Sequence, residues 1–227
     1  MPKINIKGVI VSSDDKWIYE WFDMEATSPA DVTKALEQAN GEPVEVEINS
    51  TGGDVWAGSE IYTAFKSYGG GVTTKIVGIA ASAASVIAMA GNPVMISPTA
   101  EIMIHNVSMG AGGDYRDHEH AAQMLKDYNS TIANAYMLKS GMEKAKLLEL
   151  MNAETWLTPQ QALEMGFVDE IMFTNTSAPI RLAASASGLL PQEVINKVRD
   201  ALQNRAHFDL QKTQLIQNQL KLKGAKK

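Results

Sequence analysis

The sequence contains no cysteine among its 227 residues, which excludes disulfide bonds, thiolate metal sites and a cysteine nucleophile together. No apolar run reaches the roughly 20 residues that a transmembrane helix needs. The most apolar stretch, residues 76–96, is interrupted by serine, glycine, asparagine and proline, which favours a buried helix rich in small residues. Residues 1–15 contain no long apolar segment after a basic start, so no signal peptide is predicted. We therefore expect a cytoplasmic protein with no membrane segment.

Charge of both signs is present, but it is divided unevenly along the chain. Residues 1–170 carry 11 Lys+Arg and 23 Asp+Glu, whereas residues 171–227 carry 9 and 3, so a balance of −12 is followed by one of +6. The chain is 45% hydrophobic, which is enough for a core and excludes global disorder. We predict a folded domain over residues 1–172 and, over residues 173–227, a linker with a basic, partly helical tail. No nucleic-acid partner is expected.

Strand-like and helix-like patterns alternate through the acidic part. The strictly alternating residues 44–49 predict a strand, residues 55–68 a helix, residues 73–78 a strand and residues 80–90 a helix of small residues. A long, polar helix is predicted over residues 114–139. This alternation indicates an α/β domain whose strands pair in parallel.

Two adjacent glycines, Gly52 and Gly53, fall in a predicted turn over residues 50–54 between a strand and a helix. Without a Cβ atom, their backbone amides can approach a ligand closely, and the following helix adds its positive N-terminal end. Such a turn can stabilise an oxyanion. A plain connection between strand and helix explains the same residues.

Ser82 lies at a second predicted strand–helix junction, in the segment G-I-A-A-S-A-A-S of residues 78–85. A serine placed there projects its hydroxyl beside backbone amides, as in a nucleophile elbow, although the G-x-S-x-G pattern is absent. Close helix packing explains Ser82 and Ser85 about equally well, and we expect Ser85 to serve packing alone. His105 closes an apolar strand and gains a catalytic role only if a serine lies within its reach.

The other histidines and the acidic residues do not indicate a further site. His118 and His120 are two positions apart on a predicted helix, so they face different ways and do not form a metal pair. His207 lies in the basic tail without a partner in sequence. No spacing selects one of the 26 acidic residues as a partner for His105.

Taken together, four segments resemble the Clp protease proteolytic subunit (ClpP) family, and they occur in the same order. They are N-S-T-G-G at residues 49–53, G-I-A-A-S at 78–82, M-I-H at 103–105 and W-L-T-P-Q-Q-A-L-E-M-G-F-V-D at 156–169. The likeness covers residues 43–172. It implies an α/β, ClpP/crotonase-like fold of stacked β-α-β units with a long ring-joining helix. It also implies a serine endopeptidase without metal or cofactor that acts inside stacked rings, usually of seven subunits.

The resemblance also implies roles for single residues. Ser82 matches the nucleophile and His105 the general base, while the backbone amides of Gly53 and Ala83 match the oxyanion donors. The family places an aspartate two residues before an aromatic residue, and here that position is Glu154. Asn152 is a second candidate for the same role.

Several departures resemble the ClpP-like proteases of phages and prophages, which process capsid proteins during head maturation. The family's S-P-G-G turn reads S-T-G-G at residues 50–53, the N-terminal segment is short, and a basic tail is added. A capsid or scaffold protein is then the expected substrate. Docking to an AAA+ unfoldase is usual for housekeeping members, and the sequence leaves it open here.

Three other functions stay open from the sequence. A crotonase-type enzyme shares the fold and the paired oxyanion amides but binds acyl-CoA. A peptidase of the signal peptide peptidase type needs a catalytic lysine, and Lys75 is the lysine closest in sequence to Ser82. An inactive ring that acts as a scaffold or adaptor is the non-enzymatic alternative, and Glu154 in place of aspartate is its main support.

Overall fold

Eight strands and seven helices make up the part of the chain that the structure, a computed structural model, describes, which is residues 1–174. The part of the predicted tail that follows Thr174, including His207, lies outside the described residues. The strands are β1 (Lys3–Ile10), β2 (Ala26–Thr27), β3 (Val44–Gly53), β4 (Val72–Ala81), β5 (Val94–Ile96), β6 (Glu101–Ile104), β7 (Thr155–Leu157) and β8 (Glu170–Ile171). The helices are α1 (Lys16–Trp21), α2 (Pro29–Ala39), α3 (Val55–Ser67), α4 (Ala83–Ala88), α5 (Tyr115–Ser140), α6 (Lys144–Asn152) and α7 (Pro159–Glu164).

One mainly parallel sheet organises these elements, as the alternation of the sequence predicts. Its strand order is β2-β1-β3-β4-β5-β8, and β6 pairs with both β4 and β7. Only the β6–β7 pairing is antiparallel among the described residues. The ten-residue β4 pairs first with β5, through Thr74–Ile76, and then with β6, through Ile79–Ala81. As a result, the carboxyl ends of β3, β4 and β6 lie side by side.

The strict alternation of β3 sends its apolar and charged residues to opposite faces. Val44, Val46 and Ile48 are fully buried in the core. Glu45 faces the other way, where its carboxylate accepts from the Lys75 ammonium at 2.5 Å. Lys75 is therefore engaged on the outer face of the sheet, seven residues before Ser82.

Two strands extend further than the sequence predicts. β3 continues through Gly53, so the turn predicted over residues 50–54 is a strand end. The Asp54 amide donates to the Ile10 carbonyl at 2.8 Å, because pairing with β1 continues past the glycines. β4 likewise continues to Ala81, and the helix predicted over residues 80–90 starts only at Ala83. Pairing with neighbouring strands has outweighed local propensity in both places.

The predicted long helix is present as the 26-residue α5, which a capping box of Asp114 and Asp117 opens. Gly141, at φ 72°, ends it in the left-handed conformation that helix C-termini favour. None of the described helices combines the length and the apolar character needed to cross a membrane. α1, β2 and β7, which are six, two and three residues long, were not predicted.

Candidate active site

The register of three neighbouring strands brings the candidate residues together. In the β4–β6 pair, Ala81 lies beside Met103, so Ser82 and His105 both follow directly at the carboxyl ends of their strands. In the β3–β4 pair, Ser50 lies beside Ala80. Two residues further along in each case, Gly52 lies beside Ser82. Ligand sites of parallel sheets form at this edge, because the strand ends leave a crevice there.

Ser82 adopts a backbone conformation that is rare for a residue with a side chain. Its φ is 54° and its ψ is −125°, in a region that glycine favours. The sharp bend stops β4 at Ala81 and starts α4 at Ala83. A hydrogen bond from the Ser82 amide to the Met103 carbonyl, 3.0 Å long, ties the bend to β6. Strain of this kind costs roughly 1–3 kcal/mol and is typical of functional positions.

The structure brings Ser82 and His105 into direct contact. The Ser82 Oγ and the His105 Nε2 are 2.8 Å apart, and both residues are half-buried. This is the distance that a general base needs in order to take a proton from a hydroxyl nucleophile. His105 thereby satisfies the condition that the sequence alone left open.

The end of β3 packs against this bend so tightly that only glycine fits. A Cβ atom on Gly52, whose φ is 94°, would lie 2.8 Å from the Ser82 Cβ and 2.9 Å from the Ala83 nitrogen. On either side of Gly53, the Gly52 amide donates to the Ser50 Oγ and the Asp54 amide donates to the Ile10 carbonyl. Neither of these two hydrogen bonds involves the Gly53 amide. Ala83 is the first residue of α4, so its amide has no acceptor within the helix.

The candidate acid, Glu154, lies next to His105 by strand register but does not bind it. Ile104 pairs with Thr155 in the antiparallel β6–β7 ladder, and one further step sets Glu154 opposite His105. Glu154 directly precedes β7, has a φ of 48° and is exposed. Within residues 1–174 no hydrogen bond joins its carboxylate to His105. The alternative, Asn152, accepts a hydrogen bond from the Asn106 side chain at 2.7 Å.

An apolar cleft of about 280 Å³ opens beside Gly53. The Trp56 and Tyr128 rings meet edge to face in its wall, with centroids 4.5 Å apart. The Asn129 Oδ1 accepts from the Val107 amide at 2.8 Å, which fixes the segment that follows His105 and lines the cleft. The cleft is lined by Gly53, Asp54, Val55, Trp56, Val107, Ser108, Met109, Met124, Leu125 and Tyr128.

Ser85 is more than the packing residue that the sequence predicts. It is fully buried, and its hydroxyl donates to the Ser82 carbonyl at 2.6 Å and meets the Tyr136 hydroxyl at 2.8 Å. Tyr136 is 51 residues away, so no sequence pattern could have linked it to the site. The two histidines of α5, His118 and His120, are exposed, in agreement with a solvated role.

Comparison with known proteins places this arrangement in a family. A model of the Clp protease family matches residues 25–175, which is more than half of the chain. The chain belongs to the Clp protease family. It is therefore a serine-type peptidase, and the acyl-CoA alternative is not supported. A lysine base is not supported by the geometry either, because His105 contacts Ser82 while Lys75 binds Glu45.

The relatives of this Clp protease agree with that assignment. The ATP-dependent Clp protease proteolytic subunit of Deinococcus radiodurans is 33% identical over 140 residues, which cover 60% of this chain and 69% of that protein. Proteolytic subunit 1 of Chlamydia abortus is 33% identical over 156 residues, 65% of this chain and 81% of that protein. Proteolytic subunit 2 of Tropheryma whipplei is 30% identical over 132 residues, covering 57% and 73%.

Proposed function

We propose that this protein is an endopeptidase in which Ser82 is the nucleophile and His105 the general base. The observation that carries the proposal is the 2.8 Å contact between the Ser82 Oγ and the His105 Nε2 at a strained bend. A strained serine in contact with an imidazole nitrogen has a clear chemical use and no obvious structural one. The inactive-ring alternative does not account for it.

In this mechanism, the Ser82 Oγ attacks the carbonyl carbon of the scissile peptide while its proton passes to the His105 Nε2. The tetrahedral intermediate collapses when the imidazolium returns that proton to the leaving amine. A water molecule, deprotonated by His105, then attacks the acyl-enzyme ester. The imidazolium returns the proton to the Ser82 Oγ as the ester C–O bond breaks, and the acyl part leaves as a carboxylic acid. The amides of Gly53 and Ala83 stabilise the oxyanion in both halves of the reaction. The apolar cleft beside Gly53 suits an apolar side chain next to the scissile bond.

Glu154 is our proposed third residue. Its position opposite His105 supports a role in orienting the imidazole through the Nδ1 atom, once the exposed carboxylate turns toward the ring. Asn152 is already bound to Asn106, which makes it the weaker candidate. We expect Glu154→Gln to lower kcat more than Asn152→Ala does, with steady-state cleavage of a short fluorogenic peptide as the measurement.

The direct test replaces the nucleophile. We expect Ser82→Ala to abolish both peptide cleavage and labelling by a fluorophosphonate, while folding and assembly are retained. The matched control is Ser97→Ala, because Ser97 lies in a turn after β5 and its hydroxyl bonds only the Thr99 side chain and amide within the described part of the chain. Undiminished labelling of Ser82→Ala would refute the nucleophile assignment. Loss of activity in both variants would point to misfolding.

We further propose that the subunits assemble into stacked rings, with α5 joining the rings, and that the protein acts in the cytoplasm of a bacterium or of a phage-infected host. The family membership and the length of α5 support this. The names of the relatives describe proteolytic subunits of an ATP-dependent protease, which supports an AAA+ partner as one mode of action. Native mass spectrometry of the intact particle would give the ring size, for which seven is our expectation.

As the substrate we propose a capsid or scaffold protein, cleaved during phage head maturation. The S-T-G-G sequence and the basic tail support this subclass. A gene for a portal protein upstream and one for the major capsid protein downstream is the expected genomic arrangement. A housekeeping location, next to an unfoldase gene, would contradict the subclass and leave the peptidase assignment intact.

A further inference from the structure

Behind Ser82, on the core side of α4, two buried hydroxyl groups form a chain that ends on the Ser82 carbonyl. Ser85 is fully buried and Tyr136 of α5 is 1% exposed. The Ser85 Oγ lies 2.6 Å from the Ser82 carbonyl oxygen and 2.8 Å from the Tyr136 hydroxyl. Nothing in the proposed reaction uses either side chain directly.

The direction of this chain follows from its chemistry. A carbonyl oxygen can only accept, so the single Ser85 hydroxyl proton points at the Ser82 carbonyl. The Ser85 Oγ must then accept from the Tyr136 hydroxyl. Burial raises the pKa of Tyr136 above its ordinary value and outweighs the lowering effect of the Ser85 hydrogen bond, so the phenol keeps its proton. The order of donation is therefore Tyr136 to Ser85 to the Ser82 carbonyl.

The Ser82 carbonyl belongs to the same peptide group as the Ala83 amide. It accepts from the Ser85 amide at 3.0 Å and the Val86 amide at 3.3 Å, as well as from the Ser85 hydroxyl. A trans peptide is planar, and its C=O and N–H bonds point in opposite directions. Holding the oxygen on the core side thus fixes the direction of the Ala83 N–H toward the substrate side.

We propose that Ser85 and Tyr136 are positioning residues that aim the Ala83 amide at the oxyanion. The inference rests on the proposed roles of Ser82 and Ala83. It explains why a buried polar pair lies within an apolar core, where alanine and phenylalanine at these two positions would be the simpler choice. Because an oxyanion donor acts in the transition state, the pair affects kcat and leaves KM unchanged.

Three variants test the proposal: Ser85→Ala, Tyr136→Phe and the two combined. Ser85→Ala removes the donor to the Ser82 carbonyl, and we expect kcat and the fluorophosphonate labelling rate to fall about tenfold or more with unchanged KM. Tyr136→Phe leaves Ser85 able to donate, so a loss of only a few-fold is expected.

Stability separates positioning from a purely structural role. Ser85→Ala leaves the buried Tyr136 hydroxyl without its partner, so the unfolding midpoint should drop. The double variant removes that orphaned hydroxyl, and we expect it to regain much of the stability while kcat stays as low as in Ser85→Ala. If Ser85→Ala does not fold, the double variant still gives the decisive rate.

Thr74→Val is the matched control. The Thr74 hydroxyl is also fully buried and donates to the Ala88 carbonyl at 2.9 Å, at the opposite end of α4. Its loss should lower stability without changing kcat. A wild-type kcat in Ser85→Ala, or a kcat that follows stability across all four variants, would overturn the proposal. Undiminished labelling of Ser82→Ala would instead refute the proposed function, so the two failures are distinguishable.

Discussion

At the residue scale, Gly52 combines a left-handed backbone with contact to the nucleophile. Its φ of 94° disfavours any side chain, and a Cβ would lie 2.6 Å from the Ala81 carbonyl oxygen. The neighbouring Ser82 bend and Ala83 amide would have to move to make room. The requirement for glycine is thus both conformational and steric.

We expect Gly52→Ala to lower kcat/KM by on the order of a hundredfold, comparable to the loss of an oxyanion donor. Gly41→Ala is the matched control, because Gly41 has a similar φ of 84° but no atom within 4 Å of an added Cβ. That control should lose about 1–2 kcal/mol of stability, from the backbone conformation alone. Peptide cleavage and thermal unfolding of both variants are the measurements. Equal activities would show that contact with the bend is unimportant.

Single residues also show where sequence reasoning reaches its limit. The family likeness points to Ser82, His105, Gly53 and Ala83, and local patterns point to the first three as well. The structure places all four at one sheet edge. The hydroxyl of Tyr136 could not be found, since it reaches the site from α5 through a contact that spans 51 residues. Contacts of that kind depend on packing, which leaves no local pattern.

At the element scale, Asp31 joins two helices. Its carboxylate accepts from the Ser28 amide and hydroxyl at the start of α2 and from the Lys16 ammonium of α1. Burial raises the pKa of Asp31, but the hydrogen bonds from Lys16 and Ser28 lower it by more than burial raises it. The net pKa of Asp31 therefore lies below the ordinary value of 3.8. The stability that this carboxylate supplies is therefore present above pH 3.8 and lost as the pH falls through the lowered value.

We predict that Asp31→Asn destabilises the protein most at neutral pH and progressively less as the pH drops below 4. Asparagine keeps a capping oxygen but loses the attraction to Lys16. Urea unfolding of wild type and variant at a series of pH values measures the difference. In a Lys16→Met background the neutral-pH effect should shrink, because the partner is gone. A gap that does not vary with pH would contradict the assignment.

Elements differ in how well the sequence predicts them. The long α5 and the alternating β3 were predicted because their periodic patterns extend over many residues. The ends of β3 and β4 were predicted too short, since glycines and alanines carry no strand signal while pairing with β1 and β6 continues. Those strand ends carry the site, so the error falls where function lies.

At the scale of the whole molecule, the catalytic candidates and the basic tail fall in different parts of the chain. The family match ends at residue 175, and the candidates lie between Gly53 and Glu154. Truncation after residue 175 lowers the net charge from −6 to −12, because it removes all of the tail's charged residues. We propose that the tail binds an acidic partner surface, such as that of a capsid or scaffold protein.

We predict that deletion of residues 176–227 leaves kcat/KM for a short peptide unchanged. The mass of the native particle should fall only by the mass of the deleted residues, so the number of subunits stays the same. Binding to immobilised polyaspartate, a model acidic surface, should be lost, and binding of the full chain should weaken as salt is added. Replacing only the four terminal lysines with glutamine keeps the tail's length and serves as the control for charge: Lys221, Lys223, Lys226 and Lys227. Loss of peptide cleavage on truncation would instead make the tail part of the folded enzyme.

The strained bend at Ser82 has a consequence for how this chain can change over time. Glycine would relax the φ of 54°, so the simplest substitution that strengthens the fold at this position also removes the hydroxyl. Selection for thermal stability alone should therefore enrich inactive variants with glycine at this position. A search for more stable variants of this protease has to measure peptide cleavage and thermal stability together, because glycine at this position raises stability and abolishes activity.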